Sequence, residues 1–204
     1  MRNLILSLAT MFWPQLKVMN PSRKLVGAGD VFTALYSGIV AIAGIAWLTL
    51  ETDLAIVREN ALMFAVLAVL LLIFNKLNFF MIIQFRTDRY GSADGAFDSM
   101  MVWASMFLFG PTALWLMVII QLVQFLLLLP NMKNRATRWN NIRSLTLTLA
   151  GFTVPFLLSA KIYTAMGGQL PIETLDEATL MLGMLAILIN YFTFILIWLP
   201  YFLY

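Results

Sequence analysis

Long uncharged apolar runs, separated by short charged or turn-forming segments, set the pattern of this chain. Val31 to Leu50 carries no charge and is followed by Glu51, Asp53, Arg58 and Glu59. A second run is strongly apolar from Ala61 to Phe74, meets Asn75, Lys76 and Asn78, and resumes as NFFMIIQF to Phe85. The turn-rich segment RTDRYGSADGAFD leads into a third run, Met100 to Leu129, interrupted by Gly110 and Pro111. A basic loop with Lys133, Arg135, Arg138 and Arg143 precedes a fourth run, Ile142 to Met166, which contains Pro155 and ends at Gly167 and Gly168. The acidic loop QLPIETLDE, in which Thr174 and Glu177 have capping-box spacing, opens a last run from Ala178 to Tyr204. Several runs approach or exceed the roughly 20 apolar residues that cross about 30 Å of hydrocarbon as a helix. The pattern predicts an all-α, polytopic membrane helix bundle.

Gly110 and Pro111 decide the number of crossings. Met100 to Leu129 as one helix would be about 45 Å long, which fits about 30 Å of hydrocarbon only at a tilt of about 48°, beyond the usual range of up to about 40°. Charge gives an independent criterion, because basic loops concentrate on the cytoplasmic side. Arg86 and Arg89 before this run and Lys133, Arg135, Arg138 and Arg143 after it then require an even number of crossings between them. Two short spans joined by a tight turn satisfy that. The prediction is six spans, about 31–50, 61–85, 94–109, 112–129, 142–166 and 178–203, with both termini cytoplasmic. Residues 1–29 form an interfacial helix, Leu4 to Trp13 ended by Pro14, and a linker. Trp47 and Trp115 then fall near the outer interface, and Trp139 and Trp198 near the inner one. The second run has an alternative reading, in which the helix stops near Asn75 and NFFMIIQF is extended or re-entrant.

Composition agrees: 62% of the 204 residues are hydrophobic and 11% charged, against about 25% charged in soluble domains. Cysteine and histidine are both absent, which excludes disulfides, thiolate nucleophiles, the usual zinc sites and Ser-His-Asp arrangements. No phosphate-loop, dinucleotide or nucleophile motif occurs. The chain therefore reads as non-catalytic and without a cofactor. Its pI of about 9.3 reflects cytoplasmic loops that face the lipid bilayer rather than nucleic acid.

Polar groups at membrane depth are the default functional candidates: Asn75, Lys76, Asn78, Asp98, Lys161 and Asn190. Lys76 and Asp98, at the cytoplasmic ends of consecutive spans, are placed to pair, as a helix staple or as the polar floor of a ligand cavity. Trp103, with Phe107 and Phe109, is a candidate lining of an apolar pocket as well as ordinary core. Ala34 with Gly38, and Ser37 with Ala41, form small-xxx-small pairs on which a second backbone can approach, in the bundle or from a partner. Lys133, Arg135, Arg138 and Arg143 are candidate contacts to anionic lipid or a partner.

The order GSADGAFDSMMVWASMFLFGPTALWLMVIIQL, then RWNNIRSLTLTLAG with Asn140 and Asn141, then IYTAMGGQLP, resembles the amino-terminal multi-pass modules of bacterial signalling proteins. In those, such spans often precede a diguanylate cyclase or HD-type phosphohydrolase domain. The resemblance covers about 80 residues and implies a sensor of the bacterial inner membrane. It would respond to a small or lipophilic ligand, or to the membrane itself, and signal to a cytoplasmic effector, attached beyond Tyr204 or carried by another protein. In architecture the chain also resembles the substrate-binding subunits of energy-coupling-factor vitamin transporters. Their first helix docks a transport partner through small residues, a face to which Ala34, Ser37, Gly38 and Ala41 would correspond. A third reading is an accessory subunit of a larger membrane complex.

Overall fold

The computed structural model describes residues 2–76, 78–86, 89–96 and 98–203, with side chains described for 4–74 and 99–201. In chain order the elements are α1 (Arg2–Phe12), α2 (Pro21–Leu50), α3 (Leu54–Glu59), α4 (Ala61–Lys76), β1 (Asn78–Arg86), β2 (Arg89–Ala96), α5 (Asp98–Phe109), α6 (Leu114–Leu128), α7 (Arg135–Ala165) and α8 (Glu177–Leu203). Among the described residues, four helical stretches are long and apolar enough to cross a membrane: Pro21–Leu50, Ser99–Asn131, Arg135–Ala165 and Glu177–Tyr201. Ala61–Phe74 is a shorter apolar helix.

The bundle is organised on the pair α2 and α7. Small residues let the two backbones approach: Ser37 Oγ lies 2.7 Å from Thr146 Oγ1, and a Cβ on Gly38 would lie 3.7 Å from Thr146 Cγ2. Further along, Gly44 meets Thr153 and Val154. On the other side of α7, Gly151 receives the rings of Phe194 and Trp198 from α8. Tyr36 of α2 donates to the Ile197 carbonyl of α8 at 2.9 Å, closing a three-helix core. The stripe Ala34, Ser37, Gly38 and Ala41 thus packs within the chain, with Ala34, Ser37 and Ala41 buried.

Gly110 adopts a left-handed φ of +67° and opens a 3-10 turn, Gly110–Ala113, between α5 and α6. Contacts along the arms establish a reversal of direction. The turn lies at the end of the bundle that holds Glu51, Lys161 and Leu170, with Pro111 among them. From there α5 descends along α7, Phe107 against Tyr163 and Trp103 against Phe156. The arm α6 descends too, from Trp115, bonded to Thr52, to Leu128, only a short connection before the opposite end of α7. Gly110 therefore ends one helix and Pro111 sits in the first turn of the next, where a missing N–H costs little.

Several expected boundaries are corrected. Helix α2 starts ten residues before Val31, at Pro21 in the N1 position, so residues 21–29 are helix rather than linker. Buried Gly27 there lets Trp13 and Leu16 close over the helix. Helix α7 starts at Arg135, capped by Asn134, whose side chain accepts from the Thr137 amide at 2.7 Å, so the basic loop is largely a helical turn. The cap of α8 is Asp176, which accepts from the Thr179 amide at 2.8 Å, in place of Thr174. Hydrogen bonds from Thr179 hold the Asp176 carboxyl below the usual carboxylate range.

The largest correction concerns the second span. Helix α4 stops at Lys76, and Asn78–Arg86 is a strand paired antiparallel with Arg89–Ala96, Asn78 opposite Ala96. Outside this hairpin the described elements are helical, as expected of a helix bundle, and of the two readings of NFFMIIQF the extended one matches the strand. The aromatic and β-branched residues of FFMII favour a strand, and Asn75 and Asn78 are poor helix formers.

Candidate functional site

At the Glu51 end, the α2–α3 connection, α4 and the first turns of α6 enclose an apolar cavity of about 610 Å³. Its walls include Thr49, Leu54, Val57, Phe64, Ala65, Trp115, Leu116 and Ile119. Local sequence accounts for the gap. Helix α3 is short, begun by Asp53, whose carboxylate accepts from the Ala55 amide at 2.9 Å, and stopped at Asn60. It turns the chain away from α2 before α4 begins, and the space between is not filled by side chains.

The polar groups of the rim are already engaged. Thr52 Oγ1 donates to the Leu48 carbonyl at 2.6 Å and accepts the Trp115 indole N–H at 2.7 Å. Thr112 Oγ1 accepts the Asp53 amide at 2.9 Å, and Thr49 Oγ1 donates to Ile45 O at 2.7 Å. Each of these hydroxyls already has a partner, and the wall offers mainly apolar surface. Phe64 packs against Phe109 with the rings tilted, 4.9 Å between centroids, tying the cavity wall to the α5–α6 turn. Lys161 bridges to Glu51 at 2.8 Å and fixes the carboxyl-terminal end of α7 to that of α2.

A polar node occupies the opposite end. Arg143 of α7 donates to Asp30 Oδ1 at 2.5 Å, to the Tyr201 hydroxyl at 3.1 Å and to Asn140 Oδ1 at 2.7 Å. Its guanidinium also lies over the Tyr201 ring, 4.8 Å from the centroid. Asp30 is 7% exposed. One arginine thus joins α2, α7 and α8, and cavity and node lie at opposite ends of α2.

Among the residues singled out from sequence, Trp103 is buried in the core between Phe107 and Phe156. Asn190 is buried on α8, its Nδ2 without a hydrogen-bond partner among the described residues. The side chains of Asn75, Lys76, Asn78 and Asp98 lie outside the described residues, so their pairing does too. Arg143 belongs to the partly buried node, whereas Lys133, Arg135 and Arg138 are exposed. Sequence reading missed Asp30, and its signal was present: a carboxylate on the helix that carries the first apolar run, with Arg143 at the start of another. Among the described residues no cluster of carboxylates is arranged to hold a metal. Comparison with protein-family models, with curated proteins and with solved structures gives no match.

Proposed function

We propose that the chain is a non-catalytic, six-span membrane module that takes up a lipophilic molecule in the cavity beside Trp115 and relays the event along α2 to the Asp30–Arg143–Tyr201 node. In this reading the Glu51 end faces outward and both termini face the cytoplasm of a bacterial inner membrane, as the basic residues around α1 and the start of α7 favour. Helices α4, α5 and α6 are short for the hydrocarbon and are accommodated by local thinning. The observation that carries the proposal is the cavity itself: apolar, and built against the end of the same helix whose other end holds the node. A ligand shifts such an equilibrium only if it binds one arrangement better, and closing α3 and α4 over a lipophile supplies that difference. The effector would be a cytoplasmic domain or separate protein meeting the end of α8 or the β-hairpin. The transporter-subunit reading is weaker, because the small-residue stripe it needs for docking is occupied by α7. No observation favours the accessory-subunit reading specifically.

The test uses a long-chain fatty acid carrying a mid-chain photoreactive group, added to the protein in nanodiscs. Crosslinks should concentrate on Val57, Ala65 and Ile119, compete with unlabelled fatty acid, and fall severalfold in Ala65→Phe. The distance between spin labels on α1 and at the α8 terminus should change on addition. Crosslinks spread evenly over outward residues such as Leu188 and Phe192 would mean ordinary lipid contact, and an unchanged distance would refute the relay. Single cysteines replacing Leu175 and Lys133 should react from opposite faces, and reaction from one face would overturn the topology.

A further inference from the structure

At the Asp30 end a second cavity, of about 450 Å³, lies between the segment after α1, the first turns of α2 and the start of α7. Trp13, Met19, Ser22, Arg23, Val26 and Ala136 contribute to its walls, with Gly27 and Asp30. From this cavity we infer a binding site for an anionic phospholipid, its phosphate held at the α2 amino terminus by Arg23 and its chains lying on the apolar surface beside it.

Charge complementarity argues for that occupant. Among the described residues the ion pairs are Arg143–Asp30 and Lys161–Glu51, so Arg23, Lys24, Lys133, Arg135 and Arg138 are not paired with any described carboxylate. The acidic group in the wall, Asp30, has Arg143 on its Oδ1 at 2.5 Å and does not stand as a free negative charge. Pro21 has no N–H, and the Ser22 and Arg23 amides, in the first turn of a 30-residue helix, have no intrahelical acceptor. They add partial positive charge where Arg23 already stands.

The surroundings fit a lipid better than a free ion. Val26 is 65% exposed and Val18 88% exposed, while Leu4, Leu8 and Met11 of α1 also face outward. Trp13 is buried against Leu16 and Ala28 and holds α1 to α2, so the apolar surface and the cationic cavity form one unit. A soluble phosphate would use only the second of these. The site is independent of the cavity beside Trp115, and its failure would leave that proposal standing.

The experiment is native mass spectrometry of the delipidated protein titrated with phosphatidylglycerol or phosphatidylcholine, with wild type, Arg23→Gln and Arg138→Gln compared. Phosphatidylglycerol should be preferred by about tenfold or more. That preference should fall at least about tenfold in Arg23→Gln and no more than about threefold in Arg138→Gln, whose charge lies outside the cavity wall. Equal losses in the two variants would mean diffuse attraction and overturn the site, as would wild-type binding by Arg23→Gln. Glycerol phosphate at millimolar concentration should not displace the lipid, and displacement would reassign the cavity to a free phosphate. Arg23 is exposed, so its replacement should leave the thermal transition unchanged. A variant carrying a cavity-blocking Val26→Trp should lose the preference even with Arg23 intact, and full retention there would also overturn the site.

Discussion

Arg143→Met should destabilise the bundle by about 3 to 5 kcal/mol, the range found when one partner of a buried ion pair is removed. The methionine fills much of the arginine's volume, so the loss is chiefly electrostatic. Asp30, 7% exposed, would be left without its cation. The Tyr201 hydroxyl and ring would lose their partner at the same time, loosening the end of α8. Unfolding in mixed micelles, followed by tryptophan fluorescence, measures the change. Trp198, in contact with Tyr201 at 6.1 Å between ring centroids, reports locally. Asp30→Leu combined with Arg143→Met should recover most of the stability, because no unpaired charge remains. That recovery separates an ion-pair cost from a general packing defect. A loss below about 1 kcal/mol for the single variant would place the pair among weak surface bridges.

This node shows where sequence reading reached its limit. The ends of the apolar runs were legible because local chemistry sets them: Pro14 ends α1, Gly110 turns the chain, and Gly167, at φ +99°, stops α7. Each requires only the residue and its neighbours. Asp30 and Arg143 are 113 positions apart, and only the approach of α2 to α7 brings them together. Charged residues near an apolar run look like loop, so Ser22 to Gly29 and Arg135 to Asn141 read as linker and loop although both are helical. The strand Asn78–Arg86 depends on pairing with Arg89–Ala96, and apolar periodicity could not separate it from a continued helix. The cavity beside Trp115 was not legible, since a void results from the angle at which α3 leaves α2 and not from the identity of its lining.

Gly38 and Gly44 look equivalent in the sequence, two small residues on one apolar helix, yet substitution should separate them sharply. Gly38→Ala should be neutral or stabilise by up to about 1 kcal/mol, the helix-propensity difference between the two residues, since its Cβ would lie 3.7 Å from Thr146 Cγ2, an ordinary contact. Gly44→Ala should destabilise by about 3 kcal/mol, at the upper end of typical overpacking costs. Its Cβ would overlap Thr153 Oγ1 and come within 2.8 Å of Thr153 Cβ and 3.0 Å of Val154 Cγ2. Thr153 has little freedom to turn aside, because its hydroxyl donates to the Leu149 carbonyl at 2.7 Å within α7. Relief must come from moving α2 away from α7, which also stretches the Ser37–Thr146 contact and the Glu51–Lys161 bridge that flank the crossing. Thr153→Ala in the Gly44→Ala background should restore part of the stability by removing Oγ1, and only part, because the Thr153 Cβ remains. Thermal unfolding of the four proteins in one detergent checks the ordering. Equal effects at Gly38 and Gly44 would mean that the crossing is looser than this geometry, and α2 could then not carry a displacement from the cavity to the node as a rigid element.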